Sequence, residues 1–229
     1  SYEIRRATNS RNFRCGKLRC VEKKKKKKRK QKGIDVEKGE NERLKNKKIL
    51  VCGLIILILI VFLIVFKDKI QRIFYPKSYE EFVSMYSDEY GVDENLIFAV
   101  IKAESNFQED AVSHKDALGL MQIMKETAED VARKYNIEID FNNSEREILN
   151  VQNNIKIGTK YLAVLLEKYK NIEVAVAAYN AGIGTVDNWI EKEIIKSDGS
   201  DIENIPYKET NNYVRKILRN YKIYQDLYK

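Results

Sequence analysis

Hydrophobic and polar positions divide this chain of 229 residues into three stretches of unlike texture. Over residues 1–48 apolar positions are sparse and follow no period. Residues 49–66, ILVCGLIILILIVFLIVF, are apolar almost without interruption. From Ser78 onward apolar residues return at intervals of three and four, the spacing of one face of a helix. Tyr79, Phe82, Val83 and Tyr86 mark one helix, and Leu96 to Ile101, running on to Glu104, mark the next. Met121, Met124, Ala128, Val131, Ala132 and Tyr135 predict a helix over 120–135, and Val151, Ile155, Gly158, Leu162, Leu165, Leu166 and Tyr169 predict a longer one. An Ala-rich helix follows over 173–180 with Gly182 as its stop. Val214, Ile217, Leu218, Tyr221, Tyr224 and Tyr228 predict the last. Ser78 and Glu81 have the S-x-x-E spacing of a capping box, Gly91 ends the first helix and Asp93 suits the cap of the second. Residues 105–119 and 197–206 read as loops. No alternating run predicts strands, so residues 78–229 are expected to form one mainly α domain around a single core.

The apolar stretch lacks charge and proline, and as a helix it would span roughly 27 Å, close to a hydrocarbon core of about 30 Å. Lysines 45, 47, 48, 67 and 69 flank it. It therefore reads as a transmembrane helix rather than a core helix. A cleaved signal peptide fits poorly, because the run is long, lies far along the chain and has no small-x-small site after it. Cys52 is no convincing lipid-attachment cysteine, since most of the run follows it.

Charge is distributed unevenly across this divide. Residues 1–48 carry 20 Lys/Arg against 6 Asp/Glu, whereas residues 73–229 carry 19 against 27. The overall +8 thus belongs to the N-terminal segment, and the larger domain is acidic. The Lys/Arg bias predicts a cytoplasmic N-terminus and a domain outside the membrane. Lys23 to Lys30, KKKKKKRK, predicts a solvated, disordered segment near the anionic lipid of the inner leaflet. Nucleic acid is disfavoured as a partner, because no aromatic residues interleave the run. Cys15 and Cys20 fall on the reducing side, and no cysteine lies beyond residue 52, so the domain has to be stable without disulfides. The Cys15/Cys20 pair lacks further ligands nearby, and the single histidine, His114, reads as an exposed loop residue; no metal site and no cofactor are expected. The expected organisation is 1–48 basic segment, 49–66 transmembrane helix, 67–77 connector containing Pro76, and 78–229 folded domain.

Glu104 is the residue whose placement asks for a function. It shares a helix face with Ile97, Val100 and Ile101, so its carboxyl either reaches water at a helix end or is desolvated with a raised pKa, as a general acid requires. Four stretches surround this question: AESNF (Ala103 to Phe107), ALGLMQIM (Ala117 to Met124), NIKIGTKYL (Asn154 to Leu162) and AAYNAG (Ala177 to Gly182). In this order, and with IPYKETNNYV (Ile205 to Val214), they resemble the lytic transglycosylases of the soluble-lytic-transglycosylase type, related to goose-type lysozyme. The resemblance covers residues 79–224. It implies a lysozyme-like helical domain with a long groove that cuts the peptidoglycan glycan strand between N-acetylmuramic acid and N-acetylglucosamine.

It also implies Glu104 as the catalytic acid, with Ser113, Gln122, Tyr179, Asn180 and Met121 as substrate-binding residues. Tyr179 is expected near the carboxyl, able to hydrogen-bond and orient it, whereas Met121 and Leu120 suit packing beneath the site. Tyr161 suits the core. In the family one Glu suffices: it protonates the leaving oxygen, then takes a proton from the C6 hydroxyl, which closes a 1,6-anhydro ring without water. Ordinary glycosidases use two carboxylates, and Asp110 and Asp116 lie near enough in sequence to be candidates. The sequence departs from the family at Asp116, where Gly is common, and at Lys125 and Ile183, where Pro is usual. Two alternatives stay open at this point. One is a hydrolytic lysozyme of the same fold. The other is a non-catalytic wall-binding component of a secretion or conjugation apparatus.

Overall fold

The computed structural model describes residues 3–229, and the chain forms two compact units, Ser1–Lys67 and Asp68–Lys229. The backbone described in the first unit belongs to helix α1 (Glu3–Phe74). Its apolar side chains from Ile49 to Val65 are exposed on every side. Among the described residues this is the one helix long and apolar enough to cross a membrane, over Arg43–Phe74. The basic segment was expected to be disordered, yet its described backbone is helical. Lys, Arg, Glu and Gln are good helix formers, and extending an existing helix needs no new nucleus. The side chains of Lys25 to Lys30 are exposed, in keeping with a solvated charge run.

The second unit is helical apart from one short ribbon. Its helices are α2 (Glu80–Tyr90), α3 (Glu94–Glu104), α4 (Lys125–Tyr135), α5 (Ser144–Leu149), α6 (Val151–Tyr169), α7 (Ile172–Ala181), α8 (Ile183–Glu191) and α9 (Lys208–Leu227). Helix α3 runs through the centre. Leu96 to Ile101 are all buried, because α3 packs on α9 along one side and on α2 along another. Helix α7 is similarly enclosed between α6 and α9, and its buried Ala175, Ala177 and Ala178 let neighbouring backbones come close.

Caps fix where several helices start and stop. Asp93 caps α3 by accepting from the Asn95 N–H at 2.8 Å, and Gly91 closes α2 in the left-handed conformation. The Ser78/Glu81 capping box does not form. Tyr79 is itself left-handed at φ 62°, so the helix begins one residue too late for Ser78 to cap it. The entry is held instead by Lys77, whose ammonium lies 3.1 Å from Glu80 and 3.3 Å from Glu94.

Three elements differ from the expectation. Residues 120–124 are not helical: β1 (Ala117–Leu118) and β2 (Ile123–Met124) pair antiparallel, and α4 starts only at Lys125. The apolar spacing of Leu120, Met121, Ile123 and Met124 imitates a helix, but Gly119 and Gln122 have φ of 73° and 48° and turn the chain. Helices α5 and α8 lie in stretches where no helix was predicted.

The departures from the family pattern have local reasons. Asp116 is left-handed at φ 57°, a conformation that Gly adopts freely and Asp tolerates. Lys125 and Ile183 are the first residues of α4 and α8, where proline is favoured but replaceable.

At the opposite end of the core, the chain entering this unit is fastened to the end of α9. The Arg72 guanidinium donates to the Leu227 carbonyl at 2.6 Å and lies over the Tyr228 ring. Tyr224 donates to the Pro76 carbonyl at 2.9 Å and Tyr228 to the Tyr75 carbonyl at 2.7 Å.

Candidate active site

Glu104 is the last residue of α3, so a helix that is buried on nearly every face delivers one carboxyl to a surface cleft. Two consecutive left-handed residues, Asn106 and Phe107, turn the chain away immediately afterwards. The cleft has a volume of about 240 Å³, and its lining includes Glu104, Ser113, Gln122, Tyr179 and Asn180. Five residues from four separate stretches of sequence thus meet at one place.

The Glu104 carboxyl accepts a hydrogen bond from the Tyr213 hydroxyl at 2.5 Å. Burial pushes its pKa up to about 7, while the Tyr213 hydrogen bond and the Lys216 ammonium pull it back toward the ordinary range. Loss of hydration wins because the two opposing groups offer one hydrogen bond and one charge, and Lys216 is itself held by the Ala103 carbonyl at 2.5 Å. The carboxyl therefore carries its proton through a good part of the neutral range.

The remaining polar groups are oriented by bonds that leave a defined function over. Ser113 Oγ accepts from the backbone N–H groups of Lys115 (3.2 Å) and Ala117 (3.0 Å), leaving its own proton to donate. Gln122 donates both amide protons, to Ala111 O at 3.0 Å and Gly119 O at 2.9 Å, leaving its carbonyl oxygen as an acceptor. Asn180 Oδ1 accepts from Thr210 at 2.8 Å, leaving its NH₂ as a donor. Two donors, an acceptor and a protonated acid make a set suited to hydroxyl and N-acetyl groups.

Two sequence expectations are corrected here. Tyr179 was expected to orient the carboxyl, but its hydroxyl donates to the Met121 carbonyl at 2.9 Å. It stays near enough for the Glu104 charge to help raise its pKa, after burial as the main cause. The phenol on the carboxyl is Tyr213, which sequence reasoning missed. It is 109 residues from Glu104. The available signal was its place in the IPYKETNNYV stretch. Met121, named as substrate-binding, is fully buried and packs on Gly158 and Thr159, so it supports the site from beneath. His114 is exposed as expected but lies on the cleft rim, and of the acids considered, Asp110 and Asp116 are absent from the lining. The second carboxylate in the cleft is Glu209, paired with Lys115 at 3.6 Å and solvated. Tyr161 is half-buried and rests against Tyr179, with ring centroids 5.3 Å apart.

The ribbon carrying Gln122 is anchored by Asn154, which is fully buried. Asn154 accepts from the Met121 N–H at 2.8 Å and donates to the carbonyls of Leu118 at 2.9 Å and Ile148 at 2.8 Å. A side chain at Gly119 would meet Asn154 at 2.4 Å, which explains the glycine beside it.

The profile of the transglycosylase SLT domain matches residues 81–201, more than half of the chain. The chain belongs to this family. A soluble lytic murein transglycosylase of Salmonella typhimurium is 32% identical over 146 residues, covering 63% of this chain and 22% of the relative. A membrane-bound lytic murein transglycosylase C of Sodalis glossinidius is 39% identical over 119 residues, covering 48% and 32%. Among solved structures, an inactive mutant of the lytic transglycosylase Slt from Pseudomonas aeruginosa superposes with a TM-score of 0.61 at 32% identity, covering 68% of this chain and 25% of that one. A soluble lytic transglycosylase in complex with bulgecin A gives 0.60 at 30% identity, covering 66% and 25%. This SLT-domain chain thus spans between about a fifth and a third of the length of these relatives, and its fold is the lysozyme-like helical one that the sequence led us to expect.

Tyr213→Phe tests the role of the phenol. The Tyr213 hydrogen bond favours the carboxylate, so its loss should raise the Glu104 pKa further. The alkaline limb of the pH–rate profile should then move to higher pH, while the maximal rate falls about tenfold through looser positioning. An unmoved alkaline limb would show that Tyr213 does not act on this carboxyl.

Proposed function

We propose that this chain is a membrane-anchored lytic murein transglycosylase that cleaves the β-1,4 bond between N-acetylmuramic acid and N-acetylglucosamine and leaves a 1,6-anhydromuramoyl end. The observation carrying this reading is the carboxyl of Glu104, held half-buried at the cleft with a pKa of about 7. In the proposed reaction the Glu104 proton passes to the glycosidic oxygen as the anomeric C–O bond breaks. The carboxylate so formed takes the proton of the C6 hydroxyl, whose oxygen bonds to the anomeric carbon. The acid is regenerated, and no water is consumed.

Ser113, Gln122 and Asn180 are the proposed sugar contacts, with the N-acetyl carbonyl and N–H as natural partners for the Asn180 donor and the Gln122 acceptor. Tyr213 is proposed as a positioning residue, and Tyr179 as the brace between the cleft and the ribbon. The names of the relatives support the substrate class.

A hydrolase of the same fold is the second reading, favoured by one observation: Glu209 also lines the cleft and could activate a water. Its exposure and its pairing with Lys115 favour the first reading. Products decide between them. We expect digestion of purified wall to give anhydro ends that borohydride cannot reduce; predominantly reducible ends would overturn the transglycosylase reading.

The proposed topology places the N-terminus in the cytoplasm, the helix within Arg43–Phe74 in the membrane and the SLT domain on the wall side. It rests on the excess of Lys/Arg before the apolar stretch. In wall-permeable cells an impermeant thiol reagent should label a Ser197→Cys protein at residue 197 and leave Cys15 and Cys20 unmodified. The reverse pattern would sink this topology.

A further inference from the structure

Two side chains one turn apart on α9 hold the end of α3. Tyr213 donates to the Glu104 carboxyl at 2.5 Å, and the Lys216 ammonium donates to the Ala103 carbonyl, one residue earlier, also at 2.5 Å. Residues three apart share a helix face, so both contacts follow from one packing of α9 on α3. Ala103 lies in the last turn of α3, whose carbonyls have no acceptor role left within the helix, and a cation there is favoured by the helix dipole. Capping alone would account for the bond to Ala103. It would not account for the placing of a charge beside the acid, which is the very next residue.

Several charged or titratable groups surround Glu104. Tyr213 and Lys216 come from α9, Tyr179 from α7, and Lys102 lies two residues earlier on α3 itself. His114, Lys115 and Glu209 share the cleft lining. Tyr179 is a neutral phenol whose pKa is raised by burial first and then by the Glu104 charge. Lys115 and Glu209 are solvated and paired at 3.6 Å, so their fields largely cancel. Lys102 is bonded to Asn106 and lies 5.5 Å from the Tyr75 ring centroid. Among the described residues, Lys216 is the cation whose charge acts on the carboxyl.

We propose that Lys216 is a positioning residue for glycan cleavage: through the Ala103 carbonyl it fixes the end of α3, and its charge steadies the Glu104 carboxylate that forms when the glycosidic oxygen takes the proton. The proposal rests on the transglycosylase reading. In that reaction Glu104 first gives its proton to the leaving oxygen and then, as the carboxylate, takes the proton of the C6 hydroxyl. Burial alone favours the protonated form throughout and makes the first transfer harder. A nearby ammonium lowers the cost of the anion between the two transfers. Its tether to the carbonyl keeps it from closing a direct ion pair, which would hold the carboxyl ionised and leave no proton to give. The phenol and the ammonium thus divide the work, one orienting an oxygen and the other supplying charge.

Three substitutions in the full-length chain test this. Lys216→Gln keeps a donor for the carbonyl and loses the charge, Lys216→Met loses both, and Lys216→Arg keeps both. For Gln and Met we expect the alkaline limb of anhydro-end release to move up by about half a pH unit, as one partly exposed charge allows, with the maximal rate about threefold to tenfold lower. KM should hardly change, and Arg should keep the limb and most of the rate. A limb left in place by Gln and Met, or an Arg variant no better than Met, would overturn the proposal. Thermal unfolding at pH 4 and pH 9 gives a readout without turnover. The folded Glu104 pKa of about 7 lies above the reference 4.5, so stability falls as pH rises between them. Without the Lys216 charge the folded pKa is higher still, and the fall in Tm from pH 4 to pH 9 should be larger for Lys216→Gln than for the wild type. In a chain already carrying Glu104→Gln, Lys216→Gln should leave that fall unaltered, since His114 and the other rim groups are the same in both. An equal fall with and without the Lys216 charge would also overturn the proposal. If the unsubstituted chain released no anhydro ends, the transglycosylase reading would fall and the catalytic role with it, whereas the unfolding comparison would still decide whether Lys216 acts on Glu104.

Discussion

Glu104→Gln should abolish glycan cleavage while making the domain more resistant to unfolding above neutral pH. The amide keeps the shape of the acid and can still accept from Tyr213, but it can neither give nor take the proton. Loss of general acid–base catalysis typically costs two to four orders of magnitude in rate, and that is the expected fall. The stability effect follows from the direction of the pKa shift. The folded-state pKa of about 7 lies above the reference 4.5, so the folded protein binds this proton more tightly than the unfolded chain does. Wild-type stability is therefore unaffected by this group below about pH 4.5 and falls as pH rises from there to about 7, where the full penalty is reached. Gln has no charged form to disfavour. At pH 8 the variant should gain about 1–3 kcal/mol, and at pH 4 next to nothing. Denaturant unfolding at the two pH values, alongside anhydromuropeptide release, checks both halves. A variant that gains nothing at pH 8 would mean that the carboxyl is not desolvated, and one that still releases anhydro ends near the wild-type rate would remove Glu104 from the mechanism.

Asn154→Ala is the substitution expected to cost the fold most among the residues supporting the site. It leaves the Met121 N–H and the Leu118 and Ile148 carbonyls without their partner in a fully buried position. Each orphaned group costs about 1–3 kcal/mol, with some relief from relaxation, so a loss of about 3–5 kcal/mol is expected. For a domain of this size that is a fall of about 10 °C or more in Tm. Activity should drop even well below the new Tm, because the ribbon that Asn154 holds carries Gln122 and the carbonyl on which Tyr179 rests. A loss under about 1 kcal/mol would mean that the ribbon is held by its own strand pairing instead.

How much of this was legible in the sequence depended on the distance over which each signal acts. Helices α3, α6 and α7 were readable because their faces repeat locally and Asp93 and Gly182 mark their ends. Helix α8 was not, since its opening Ile-Gly-Thr follows another glycine and resembles a turn. The ribbon was hidden by apolar residues whose spacing happens to suit a helix, and only the left-handed Gly119 and Gln122 decide against one. Glu104, Ser113, Gln122, Tyr179 and Asn180 were all nameable from short motifs, and the fold brings them to one cleft. Which phenol touches the carboxyl was not readable, because it depends on how α9 crosses α3. Tyr213 stands one position before Val214, and its place in the IPYKETNNYV stretch marks it off from the tyrosines farther along that helix without saying which side chain it meets.

The bonds from Tyr224 and Tyr228 to the carbonyls of Pro76 and Tyr75, with Arg72 on the Leu227 carbonyl, join the two ends of the folded unit. The domain is in effect a closed ring whose clasp is made partly of residues that look like a linker. A fragment trimmed to begin at Lys77 would lose the acceptors of both phenols and the guanidinium together, and its last helical turn would fray. An excised domain that keeps its native ends therefore has to begin no later than Arg72.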